Sequence, residues 1–160
     1  MERSLMKLTT KGRYAVSAML DLAKHSHGGP VSLNDISKRE DISLSYLEQI
    51  FTKLRKADLV KSVRGPGGGY TLSREAEHIS VANVIDSVGE DVDLCCCGDN
   101  HSDDGSEKAP CFTHKLWSGL TLLMREYLES VSLQELLDPE VEFSGRIRIE
   151  PGTKVSGENQ

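Results

Sequence analysis

The chain has 160 residues, of which 38% are hydrophobic and 28% charged, with a formal net charge of −6. This composition supports a packed core and excludes compositional disorder. It contains no run of about 18 apolar residues, so a transmembrane helix is not expected. Met1 to Leu8 hold no apolar stretch long enough for a secretory signal, which predicts a cytoplasmic protein with no membrane partner. In that reducing compartment the four cysteines are expected to be free, catalytic or metal-bound rather than disulfide-paired. The charge is unevenly spread. Residues 1–80 carry 13 Lys and Arg against 9 Asp and Glu, and residues 81–160 carry 6 against 16. A basic first half suits a module that meets phosphate, although solvated faces of different charge would look the same.

In chain order, a first helix is predicted from Thr9 or Thr10, with Tyr14, Ala15, Val16, Met19, Leu20, Leu22 and Ala23 at helical spacing. Gly28, Gly29 and Pro30 stop it. Ser32, with Asp35 three residues on, opens a short second helix whose Leu33 and Ile36 face inward. Asp41 and Ile42 make a tight turn. Ser43 is then expected to cap a third helix carrying Leu44, Leu47, Ile50, Phe51 and Leu54 on one face. Two short helices about a tight turn fit the helix-turn-helix pattern. Strands follow over Leu59–Val63 and Tyr70–Leu72, separated by Gly65-Pro66-Gly67-Gly68-Gly69, a loop that no regular element tolerates. A hairpin directly after a recognition helix is a wing.

Ser80 is expected to cap another helix with Val81, Val84, Ile85 and Val88 inward. Residues 89–111 are polar and hold all four cysteines. The longest helix is predicted from about Phe112 to Ser130, with a stripe of Leu116, Trp117, Leu120, Leu123, Met124, Tyr127, Leu128 and Val131. A short helix near Ser132–Leu137 closes the ordered part. The predicted class is mostly α (α+β): a winged helix-turn-helix with a two-stranded wing plus a long dimerisation helix. Its predicted divisions are a DNA-binding domain over 6–80, a cluster-binding loop and dimerisation helix over 81–138, and a disordered tail over 139–160.

Two regions carry candidate chemistry. At the start of the third helix, Ser45, Tyr46 and Gln49 supply hydroxyls and an amide suited to base edges, and glutamine pairs bidentately with adenine. Glu48 is an acid beside phosphate, fitted to accept from cytosine N4 or to repel wrong sequences. At the wing, Arg64 adjoins the glycine loop that includes Gly67, where backbone approaches phosphate closely and an arginine enters the minor groove. Lys53, Arg55, Lys56 and Lys61 are candidate phosphate contacts. The glycine loop lacks the Lys-Ser/Thr of a P-loop, there is no Cys-x-x-Cys beside a βαβ unit, and no Ser-His-Asp pattern or dinucleotide fingerprint occurs, so an enzyme is not expected.

The second region is the cysteine segment: Cys95, Cys96, Cys97 and Cys111, followed by His114. In an extended stretch Cys95 and Cys97 point one way and Cys96 the other, while Cys111 and His114 share a face if helical. Thiolates with one imidazole suit zinc or an iron–sulfur cluster. A loop with free thiols is the plain alternative. The broad stripe of the long helix suits a homodimer, although packing on the chain's own first helix is the other outcome.

MKLTTKGRYAVSAMLDLA, DIS, ISLSYLEQIFTKLRKADLVKSVRGPGGGYTLS and CFTHKLW resemble the IscR family of iron–sulfur cluster regulators, from Met6 to about Leu137. The resemblance implies a homodimeric winged-helix transcription factor that binds a double-stranded DNA operator. It also implies a [2Fe-2S] cluster on three cysteines and a histidine, received from the iron–sulfur assembly machinery, and control of assembly genes by repression and activation. Carried over by position, Ser45, Tyr46 and Gln49 contact bases and Arg64 enters the minor groove. Glu48 becomes a specificity filter that depends on cluster state. Cys111 and His114 match family ligands, and Cys97 matches the first cysteine. The family's middle cysteine is missing, since Gly98 to Pro110 contains none. Cys95 or Cys96, His101 or an aspartate replaces it, or the cluster is lost; Cys95 with Cys97 is the favoured pairing. A regulator of the same architecture that senses nitric oxide, cysteine or iron is the nearest rival reading.

Overall fold

The computed structural model describes residues 10–90 and 113–143; for His114 it describes the backbone alone. Helix α1 (Thr10–His25) buries Ala15, Ala18, Met19, Leu22 and Ala23 at helical spacing. It ends in a 3-10 turn over Ser26–Gly28. Helix α2 (Leu33–Glu40) starts at Ser32, whose hydroxyl accepts from the Asp35 amide at 3.2 Å and donates to the Asp35 carboxylate at 2.7 Å. It stops at Asp41, which adopts a left-handed φ of 53°. The Ser37 hydroxyl then donates to the Ile42 carbonyl at 2.6 Å and secures the turn into α3 (Leu44–Lys56).

In α3, Leu47, Ile50, Phe51 and Leu54 are buried. Two expectations about its start need correction. Leu44 is 40% exposed rather than buried. A helical side chain leans toward the N-terminus, so the first residue of a helix covers a region where no element packs. The Ser43 side chain makes no capping hydrogen bond. The start is held instead by its carbonyl, which accepts from the Tyr46 and Leu47 amides, both at 3.1 Å.

Strands β1 (Val60–Val63) and β2 (Gly69–Leu72) pair antiparallel, Val60 opposite Leu72 and Val63 opposite Gly69. The two-stranded wing gains a third partner that periodicity did not signal: Val31 and Tyr70 exchange backbone hydrogen bonds of 2.9 and 2.8 Å. Gly69 makes this approach possible, since a Cβ there would lie 2.3 Å from the Val31 carbonyl oxygen. Phe51 of α3 meets Tyr70 edge-on, with ring centroids 4.8 Å apart.

Helix α4 (Val81–Ser87) begins with a reciprocal capping box between Ser80 and Asn83. Helix α5 (His114–Ser130) starts close to where the sequence placed it, and α6 (Leu133–Leu137) begins with a second capping box, Ser132 with Glu135. The end of α5 is stitched to the start of α4: Val81 N–H donates to the Val131 carbonyl and Leu133 N–H to that of Ile79, each at 2.9 Å. The principal core joins Met19, Leu22, Ile36, Leu47, Phe51 and Leu54 with Val84, Val88 and Leu133, so α4 and α6 pack against the same centre as the helix-turn-helix. A smaller cluster holds Val81, Ile85 and Val131. No described side chain of α5 is buried; Leu116 is 63% and Leu122 51% exposed.

Candidate nucleic-acid interface

The amphipathic pattern of α3 leaves one face free once Leu47, Ile50, Phe51 and Leu54 are packed. Ser45, Glu48 and Gln49 occupy that face and are exposed, and Tyr46 is half-buried. Tyr46 packs its inner edge on the principal core and meets Tyr14 of α1 edge-on, with ring centroids 5.9 Å apart and planes at 83°. Hydroxyl, amide and carboxylate groups therefore project from the first two turns, where a recognition helix approaches base edges.

β1 leads out of α3 through Asp58, whose φ is 55°, and packs against that helix. Lys61 and Arg64 are exposed along the strand and at its end. The tip is a tight turn in which the Gly68 amide donates to the Gly65 carbonyl at 2.9 Å. Pro66 takes its second position and Gly67 its third, with φ of 74°, the pattern of a type II turn. The exposed tip thus presents backbone without side-chain bulk beside the guanidinium of Arg64, which is what contact with a phosphate-lined groove asks for.

The basic residues after Gln49, namely Lys53, Arg55 and Lys56, are all exposed. Lys53 is tied to α4, its ammonium donating to the Val88 carbonyl at 3.1 Å. Its pKa is lowered, chiefly by the neighbouring Lys11 ammonium. Sequence reasoning also missed the buried anchor of this unit. Asp21 of α1, 6% exposed, is the one buried charged residue among the described residues. It accepts both arms of the Arg39 guanidinium from α2 and lies 3.2 Å from His25 Nδ1. An acid between Met19 and Leu22 in an apolar stripe was the available signal, because such a charge requires a partner.

Of the expected metal ligands, Cys95, Cys97 and Cys111 lie outside the described residues, as do Cys96 and His101. His114 is the first residue of α5, directly after Thr113. Among the described residues no group of three or more His, Cys, Asp or Glu could hold a metal ion. None of their helices is long and apolar enough to cross a membrane.

A helix-turn-helix with an exposed recognition face, followed at once by a glycine-tipped wing, defines a winged-helix transcription regulator. Residues 8–139 match the Rrf2 family, described as iron-dependent transcriptional regulators, and the chain belongs to that family. The transcriptional regulator IscR of Xenorhabdus nematophila is 55% identical over 132 residues, covering 82% of this chain and 79% of the relative. The solved structure of T. potens IscR is 41% identical, with a TM-score of 0.69, over 84% of this chain and 87% of that one. CymR, the global cysteine regulator of B. subtilis, is 33% identical with a TM-score of 0.70, over 82% of this chain and 96% of that one. These relatives are transcription regulators rather than enzymes.

Proposed function

We propose that this regulator senses iron–sulfur cluster status through a [2Fe-2S] cluster and controls iron–sulfur assembly genes, acting as a cytoplasmic homodimer on a double-stranded DNA operator. The observation that carries the DNA reading is the face of α3 formed by the exposed Ser45, Glu48 and Gln49 with the half-buried Tyr46, ahead of a wing that presents Lys61, Arg64 and Gly67. In this reading the helix side chains meet base edges in the major groove, Arg64 enters the minor groove and Lys61 holds phosphate. The unit over 6–80 carries this contact, 81–138 carries sensing and dimerisation, and 139–160 is a tail.

Cys95, Cys97, Cys111 and His114 would hold the cluster. Three thiolates with one imidazole are a donor set that iron–sulfur clusters accept, and His114 stands three residues after Cys111 at the start of α5. The cluster would supply a redox-labile group, delivered by the iron–sulfur assembly machinery. The start of the α5 stripe, where Leu116 is 63% exposed, supports pairing with a second copy, while Tyr127 and Leu128 pack on the chain's own Val81, Ile85 and Val131.

The test is anaerobic reconstitution, followed by visible absorbance and assays of iron and acid-labile sulfide. The wild type is expected to gain the bands of a [2Fe-2S] centre. Cys111→Ala should abolish them, and full retention in Cys95→Ala would reject Cys95 as a ligand. The likeness to CymR favours a second reading, in which the same architecture answers to cysteine instead of a cluster. A protein that takes up neither iron nor sulfide but changes its DNA affinity with added cysteine would support it. Iron without acid-labile sulfide would point to a response to iron alone, and a change in DNA affinity on exposure to nitric oxide would point to a nitric-oxide sensor.

A further inference from the structure

α1 brings a second aromatic residue to the flank of the recognition helix. The Tyr14–Tyr46 pair is not a core contact, since Tyr14 is 37% exposed. A tyrosine ring on a helix surface has rotamer freedom, and the ring of Tyr46 is confined from two sides, by the principal core within and by Tyr14 at its edge. An edge-to-face pair of this kind biases a rotamer population about two- to tenfold. The surroundings suit nucleic acid. Lys11 stands in the first turn of α1, which carries no acid, so an approaching phosphate relieves the repulsion between its ammonium and the positive end of the helix dipole.

We infer that Tyr14 is a positioning residue of the DNA interface, holding from α1 the ring orientation in which Tyr46 meets the duplex. The inference rests on the base-reading role proposed for α3. Its mechanism is pre-organisation: Tyr14 packs on Tyr46 before DNA arrives, and the bases then meet a ring already set in place.

The experiment uses the full chain and two duplexes of equal length, one enriched by the wild type from a randomised library and one shuffled. Affinities for both are measured by fluorescence anisotropy over a range of salt. Tyr14→Ala is expected to weaken binding to the enriched duplex about three- to tenfold while leaving the shuffled duplex and the salt slope unchanged. Tyr14→Phe, which keeps the ring and loses the hydroxyl, should restore wild-type affinity. The inference is overturned if Tyr14→Ala matches the wild type, if it weakens both duplexes equally, or if Tyr14→Phe is as impaired as Tyr14→Ala. If the wild type enriches no duplex, the base-reading role of α3 falls and the role of Tyr14 falls with it. An enriched duplex that Tyr14→Ala binds normally removes the role of Tyr14 alone.

Discussion

The guanidinium of Arg39 grips the carboxylate of Asp21 with two hydrogen bonds, Nε to Oδ1 at 2.9 Å and Nη2 to Oδ2 at 2.7 Å. The fork joins α2 to the buried face of α1 and raises the Arg39 pKa, chiefly through the hydrogen bond to Asp21. Arg39→Ala leaves a carboxylate that is 3% exposed with His25 as its one remaining ion-pair partner among the described residues. The expected cost is about 2 kcal/mol, less than for a fully buried pair because Arg39 itself is 36% exposed. A urea titration should show a lower midpoint at unchanged slope. An unmoved midpoint would show that the pair is energetically idle.

The wing allows a sharper separation of roles. Arg64→Ala should weaken operator binding by about 1–3 kcal/mol and relax sequence choice near its contact. Lys61→Ala should weaken all sequences alike and reduce the salt slope by about one. Equal operator affinity in wild type and the Arg64 variant would count against groove entry by this side chain.

Glu48 carries a prediction of opposite sign. An acid facing the groove is repelled by most acceptor edges, so Glu48→Ala should broaden the range of duplexes bound by cluster-free protein. Competition binding against a panel of single-base variants reads this directly. Identical ranking before and after the substitution would retire the filter.

Gly69 makes a steric prediction. In Gly69→Ala the new methyl would sit 2.3 Å from the Val31 carbonyl oxygen, a backbone atom that cannot swing aside. The strand contact must open, at a cost of about 1–3 kcal/mol. Accelerated hydrogen exchange at the Tyr70 and Val31 amides would register it, and unchanged protection would show that the contact tolerates a side chain.

The stripe of α5 predicts assembly. Leu116 is 63% exposed and Leu123 half-buried, one heptad apart. Leu116→Lys with Leu123→Lys should shift sedimentation from dimer toward monomer without loss of helical signal. Wild-type protein that sediments as a monomer would assign the stripe another use.

Local patterns were legible in the sequence, and contacts between distant residues were not. Ser32 with Asp35 and Ser80 with its following apolar stripe marked helix starts, because a cap needs only local chemistry. The glycine loop between two apolar runs marked the wing. Val31 was missed because a single paired residue between Pro30 and Ser32 shows no alternation. Leu44 was misplaced because spacing assigns a face without showing whether anything covers it. The tie of Lys53 to the Val88 carbonyl was not legible, because its partner lies 35 positions away. At the candidate site, the exposed face of α3 followed from amphipathic spacing and the position of Arg64 from the glycine loop it adjoins. The orientation of Tyr46 did not, since it depends on Tyr14 from another helix.

The pairing of Val31 with Tyr70 ties the strand that returns from the wing tip to the segment two residues ahead of α2. Under the proposed DNA reading, this brace would limit how far the wing can swing relative to the helix-turn-helix. A duplex with a different groove spacing would then have to bend or twist to be gripped, so the stiffness of its base steps would count toward affinity.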